Sequence, residues 1–275
     1  MNKNEIERVI IAVINGKGGV GKTLTTSIIA DWLDCQLISY SLLDCDDNQS
    51  LSKLLPFAGR HNIKPADGIE MLIGKILENE ITLTDTPANI STEVHLLFSS
   101  VDFAPSLESV YGRLVIMVPI VANDAASWDE ARRTVMAIKT TASYIIVKNQ
   151  FRGSDFSSFD NSSTGQFLKA AGAKEITIPK IDDSLQRLMN TDRLTLAQFI
   201  GRYWHLHSTE PVSAFRQTVQ AQQATNHLNM LLTQLNLLAQ TLLPATVVPR
   251  IETMSTAIIK DYCCRAWKRK NQKNN

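Results

Sequence analysis

The stretch Gly16-Lys17-Gly18-Gly19-Val20-Gly21-Lys22-Thr23 matches the pattern G-x-x-x-x-G-K-[ST] and stands between an apolar, β-branched run at residues 9–14 and a helical pattern at residues 22–34. A strand, then the glycine loop, then a helix is the context in which that pattern acquires structural meaning. The glycines let successive backbone N–H groups curl around phosphate oxygens, and the first turn of the helix adds the positive end of its dipole. Lys22 is placed to reach the outer phosphates of a nucleotide, and the Thr23 hydroxyl to ligate Mg²⁺.

Outward from this loop, short β-branched runs alternate with helical patterns. Residues 9–14, 36–43, 81–84, 114–118, 143–147 and 175–178 read as strands, and residues 22–34, 67–79, 124–141 and 163–172 as helices. Strands that are apolar on both faces and alternate with helices predict an α/β protein in which a mostly parallel sheet lies between two helical layers. With the glycine loop after the first strand, this is the three-layer P-loop NTPase fold. After Gly201 the character changes, so residues 1–201 are expected to form the P-loop domain and residues 202–275 a C-terminal helical extension.

The chain of 275 residues is 44% hydrophobic and 20% charged, ordinary for a globular protein and too apolar for a disordered one. Its longest uninterrupted apolar run, residues 114–122, contains Pro119 and falls far short of the roughly 20 residues that span a bilayer. The polar opening residues lack the apolar core of a signal peptide, so a cytoplasmic location is expected. Cys35, Cys45, Cys263 and Cys264 show neither metal-ligand spacing nor a disulfide framework.

The second lysine of the loop adds information. Lys17-Gly18-Gly19-Val20-Gly21-Lys22-Thr23 resembles the deviant Walker A motif K-G-G-V-G-K-[ST] of the ParA/MinD ATPases. The resemblance implies that Gly16 to Thr23 bind ATP, that Lys17 acts in trans across an ATP-sandwich homodimer, and that Lys17 and Lys22 serve catalysis. Two further segments follow in the family's order. Asp44-Cys45-Asp46-Asp47-Asn48-Gln49 resembles the switch I segment, with Asp47-Asn48 where the family often has proline; Asp44 would assist the Mg²⁺ site and Asp46 would orient the attacking water. Asp85-Thr86-Pro87-Ala88 is similar to the Walker B and switch II element, in which Asp85 would hold Mg²⁺ through a water. Asn149 and Pro179 resemble the residues that read and flank the adenine.

The absence of cysteines between Cys45 and Cys263 argues against the iron–sulfur branches of the family, and one tail tyrosine, Tyr262, against the tyrosine kinases. The short interval from Asp46 to Asp85 and the run at residues 191–200 resemble the compact ParA-like proteins of plasmid conjugation and stabilisation, TraL among them. The function classes left are an ATPase for DNA partition, maintenance or transfer, answering to a stimulating partner protein, a MinD-like ATPase at the membrane surface, and a nucleotide-gated interaction module.

The C-terminal part carries its own pattern. Residues 217–243 contain no Asp, Glu, Lys or Arg, and Leu228, Leu231, Leu235, Leu238 and Leu242 fall on one helical stripe, either a flank packed on the sheet or a partner surface. Residues 250–275 carry seven Lys or Arg against two acids. Within them residues 256–273 read as a basic amphipathic helix, with Ile258, Ile259, Tyr262, Cys263, Ala266 and Trp267 on one side and Lys260, Arg265, Lys268, Arg269 and Lys270 around it. Such a helix either attaches to DNA or an anionic membrane, or docks on the protein itself.

Overall fold

The computed structural model describes residues 7–46, 48–61, 74–75, 78–88, 107, 109, 112–138, 142–205, 211–249 and 256–272. Its strands are β1 (Arg8–Val13), β2 (Ser41–Asp44), β3 (Gly59–Arg60), β4 (Ile81–Asp85), β5 (Gly112–Val121), β6 (Ala142–Asn149) and β7 (Lys174–Ile178). They form one sheet in the order β3-β2-β4-β1-β5-β6-β7, and every pairing is parallel. The helices are α1 (Lys22–Cys35), α2 (Ser50–Leu54), α3 (Ala125–Ile138), α4 (Ser157–Asp160), α5 (Ser163–Ala170), α6 (Asp183–Asp192), α7 (Leu196–His205), α8 (Pro211–Leu237), α9 (Ala239–Leu242) and α10 (Thr256–Gln272).

Alternating side chains of each central strand enter opposite cores, as strand geometry requires. Val9, Ile11 and Val13 of β1 join Ile28, Trp32, Phe199, Leu228 and Tyr262 on the side of α1, α7, α8 and α10. Ile10, Ala12 and Ile14 join Ala131, Val135, Phe159 and Leu168 on the side of α3, α4 and α5. This is the expected three-layer α/β arrangement.

The strand expected at residues 36–43 begins only at Ser41. Helix α1 runs on to Cys35 and closes with Leu37 N–H on Asp34 O at 3.1 Å and Ile38 N–H on Leu33 O at 3.0 Å, the paired bonds of a Schellman turn. Leu37 takes the left-handed position at φ 58. Helix α6 escaped the periodicity reading although Asp182 caps it, accepting from Ser184 N at 2.9 Å and Leu185 N at 3.3 Å. The helix expected at residues 67–79 falls largely outside the described residues.

Gly201, the last residue of the expected P-loop domain, lies within α7, and residues beyond it enter the same core. Leu228, Leu231, Leu235, Leu238 and Leu242 are buried against the sheet's flank, so their stripe is a packing face. The polar residues of α8 have structural partners as well. Gln234 accepts from Thr177 N at 2.8 Å and donates to Thr177 O at 2.9 Å, pairing the open edge of β7 with a side-chain amide. Asn236 accepts from Trp32 Nε1 at 2.7 Å and Gln36 Nε2 at 2.9 Å, tying α8 to α1.

Candidate phosphate-binding site

The glycine loop leaves the C-terminal end of β1, at the centre of the sheet, and turns into α1. Gly21 caps the helix in a left-handed conformation at φ 98. A β-carbon there would also lie 2.2 Å from Asn149 Nδ2, so both backbone and space require glycine. Asn15 holds the loop from beneath: its Oδ1 accepts from Lys17 N at 2.8 Å, and its Nδ2 donates to Pro119 O at 2.8 Å and Ser127 O at 3.1 Å. The loop is thereby bound to β5 and the first turn of α3.

The two lysines of the loop have opposite surroundings. Lys22 is buried, and its ammonium folds back over the loop to donate to Asn15 O at 2.8 Å and Lys17 O at 3.4 Å. Burial lowers its pKa, and the nearby charges of Asp85 and Asp46 oppose that shift. Lys17, Gly18 and Gly19 are exposed. A cleft of about 410 Å³ opens beside Lys17 between Gly16–Gly18 and the α3 residues Ala126, Asp129, Glu130 and Arg133, so the outer edge of the loop is uncovered.

The carboxylates converge from neighbouring strands. Asp44 and Asp85 are register partners at the ends of β2 and β4. Asp85 Oδ2 accepts from Thr23 Oγ1 at 2.8 Å and its Oδ1 from Thr26 Oγ1 at 3.3 Å. Burial pushes the Asp85 carboxyl up to about 7, the Thr23 hydrogen bond pulls the other way, and the Asp44 charge adds to the rise. A divalent cation between Thr23 and Asp85 would supply the charge that this buried carboxylate lacks, and an all-oxygen donor set suits Mg²⁺. Asp44 has a second task. Its Oδ2 accepts from Ser52 N and Ser52 Oγ, both at 2.7 Å, and its Oδ1 from Asp46 N at 3.1 Å, so it organises the turn that presents Asp46. Ala88 stands against the loop, 3.9 Å from where a Gly18 β-carbon would be.

Asn149 is engaged by the chain itself. Its Nδ2 donates to Val20 O at 3.1 Å and its Oδ1 accepts from Phe151 N at 3.3 Å, so the amide braces the loop and caps the 3₁₀ turn Gln150–Arg152. Pro179 directly follows β7, next to Ile178, whose register partner is Asn149. Asn15, Thr26 and Ser52 carry much of this geometry, and the sequence reading passed over them. Asn15 alone offered a signal, a polar residue immediately ahead of the glycine loop.

Much of the apolar stripe of the basic helix packs inside the molecule. Ile259, Tyr262 and Cys263 are fully buried, and Ala266 nearly so. Lys260, Arg265 and Lys268 remain outside: Lys260 lies over the Trp204 ring at 4.1 Å, Arg265 pairs with Asp261, and Lys268 is exposed. Among the described residues no helix is long and apolar enough to cross a membrane.

A parallel sheet with a Gly-rich loop after its central strand, a buried lysine, and a hydroxyl and carboxylate aimed at one point define a P-loop nucleotide-binding protein. The sequence profile of the CobQ/CobB/MinD/ParA nucleotide-binding domain matches residues 11–261, and the chain belongs to that family. Among solved structures, the MinD cell division protein of Aquifex aeolicus is similar at 15% identity and a TM-score of 0.42, over 79% of this chain and 96% of that one. A nucleotide-binding protein of Archaeoglobus fulgidus in complex with ADP is similar at 19% identity and a TM-score of 0.43, over 70% and 90%. No curated protein sequence matches the chain.

Proposed function

We propose that the chain is a Mg²⁺-dependent ATPase that dimerises on ATP and works in plasmid or DNA partition, maintenance or conjugative transfer, hydrolysing slowly until a partner protein stimulates it. The observation that carries this reading is the contrast between the two lysines of one loop. Lys22 is buried over the loop and suits the nucleotide of its own subunit, whereas Lys17 is exposed beside an open cleft and suits the nucleotide of another. A triphosphate carries about four negative charges, so a lysine lent across an interface makes association depend on which nucleotide is bound.

In this reading Gly16 to Thr23 would cradle the phosphates, and Thr23 and Asp85 would hold a Mg²⁺ ion, which would supply positive charge beside the phosphate oxygens. Asp46, set by the Asp44 turn, orients the attacking water. Asn149 stiffens the loop, and Pro179 lies where it could flank the base. The exposed cations of α10 favour DNA phosphates over lipid, because Ile259, Tyr262, Cys263 and Ala266 of its apolar stripe are committed to the core.

Sedimentation velocity with Mg-ATP tests this. Lys22→Ala should lose nucleotide binding, and Lys17→Ala should keep binding but lose the dimer. A Lys17→Ala protein that dimerises like the wild type refutes the sandwich.

A further inference from the structure

We infer that Arg152 is a second anion-binding side chain of the phosphate loop, supplied in cis and held in reserve by Asp124. The inference rests on the nucleotide-binding reading above and adds a residue that no part of the glycine motif contains. Arg152 closes the 3₁₀ turn after β6. Its guanidinium stands against the outer bend of the loop, with Nη2 3.9 Å from where a Gly19 β-carbon would be. Gly19, at φ 73, is exposed, so a phosphate lying on the loop's amides comes within reach of a small swing of that side chain.

Two features make Arg152 a mobile cation on a fixed base. The base is fixed because Asn149 joins the turn to the loop, capping Phe151 N with one end of its amide and bonding Val20 O with the other. The guanidinium is held loosely: its contact with Asp124 is long, Nη1 to Oδ2 at 3.4 Å, its side chain is 50% exposed, and otherwise it lies over the ring of its own neighbour Phe151 at 5.0 Å. A single long, half-solvated ion pair contributes little. A phosphate oxygen is a stronger acceptor for the planar guanidinium, which matches phosphate geometry with two N–H groups. Asp124 has a second role, since its Oδ1 accepts from Ser127 N at 3.3 Å in the first turn of α3. Exchange of Arg152 from Asp124 to phosphate would therefore be felt at α3, which borders the cleft beside Lys17.

The test is equilibrium binding of Mg-ATP to the full chain at two salt concentrations, with wild type and Lys22→Ala as references. Failure of the wild type to bind ATP would overturn the nucleotide reading itself, which separates that failure from this one. Given wild-type binding, Arg152→Ala should weaken it by about tenfold or more, the scale of a charge-assisted hydrogen bond, and should flatten its salt dependence. Arg152→Lys should recover part of the affinity. Asp124→Asn, which keeps an acceptor for Ser127 N while releasing the guanidinium, should bind Mg-ATP at least as tightly as wild type. Arg152→Ala binding within twofold of wild type overturns the inference. So does an Asp124→Asn loss equal to that of Arg152→Ala, which would mark the pair as a structural brace.

Discussion

Asn149 Nδ2 donates to the Val20 carbonyl at 3.1 Å, so the end of β6 is bonded into the middle of the phosphate loop. Val20 is buried, and Asn149→Ala would leave its carbonyl without this donor, at a cost of about 1–3 kcal/mol. A brace acts on the phosphates and is indifferent to the base. Asn149→Ala should therefore weaken ATP and GTP binding by the same factor and lower the urea midpoint. A selective loss of ATP binding would assign the amide to adenine instead.

Asp46 differs from Asp44 in its freedom. Asp44 accepts three hydrogen bonds from its own segment, whereas among the described residues Asp46 Oδ1 accepts longer ones from Asn48, at 3.2 and 3.4 Å. Asp46→Ala should lower ATP turnover by roughly 10²-fold, as expected for loss of a group that places the water, and leave an ATP-bound dimer. Turnover at the wild-type rate would remove Asp46 from the mechanism.

The α1 terminus offers a stability gain away from the site. Leu37 occupies a left-handed position that costs a residue with a β-carbon about 1–2 kcal/mol, and the residue is 58% exposed. Leu37→Gly should raise stability to chemical denaturation by about 0.5–1 kcal/mol with ATP binding unchanged. A lower midpoint would show that the Leu37 side chain contributes more than its backbone strain costs.

Gly201 marks where α7 and α10 touch. A β-carbon there would lie 2.0 Å from the Cys263 carbonyl oxygen and 2.9 Å from Trp267 Cβ. Because backbone is the obstacle, Gly201→Ala must push the two helices apart, at about 1–3 kcal/mol or more. Limited proteolysis should then release a fragment without α10 that the wild type does not yield. An unchanged digestion pattern would mean that α10 yields without undocking.

This contact shows where sequence reading stops. The Lys17 to Thr23 loop, the Asp85 strand end and the central apolar strands were legible because their folding is local: a few adjacent residues determine the conformation. The stripe Ile259, Tyr262, Cys263, Ala266 was legible as a buried face, but its partner lies some sixty positions earlier in the chain. A periodic pattern states that a face needs covering and not what covers it. The resemblance points Asn149 at the adenine, and its brace on Val20 escapes for the same reason, since that bond spans 129 positions. Helix α6 escaped for a different one: it is short and most of its residues are polar, so Leu185, Leu188 and Met189 alone mark its inner face.

Asp31 makes stability depend on pH. It is fully enclosed between α1, α7 and α10, where it accepts from Tyr262 Oη at 3.0 Å, Thr195 Oγ1 at 3.3 Å and Ala197 N at 3.4 Å. Burial pushes its carboxyl up to about 7, the charge of Asp34 adds to the rise, and the three donors reduce it. In the unfolded chain the same group titrates near its ordinary value of about 3.9. Between those two values the folded protein keeps a proton that the unfolded chain has released, so this group's contribution to stability falls as pH rises from about 4 to about 7 and is level above. Asp85, also raised to about 7, contributes a slope of the same sign. The informative quantity is therefore the difference between variants. Relative to wild type, Asp31→Asn should gain stability steadily from pH 5 to pH 7, at up to about 1.4 kcal/mol per pH unit, whatever its offset at pH 5. Tyr262→Phe, which removes a donor that favours the ionised form, should extend the wild-type decline to higher pH. Urea unfolding at half-unit steps from pH 5 to pH 8.5 measures both, and parallel curves for wild type and Asp31→Asn would show that Asp31 does not titrate in this range.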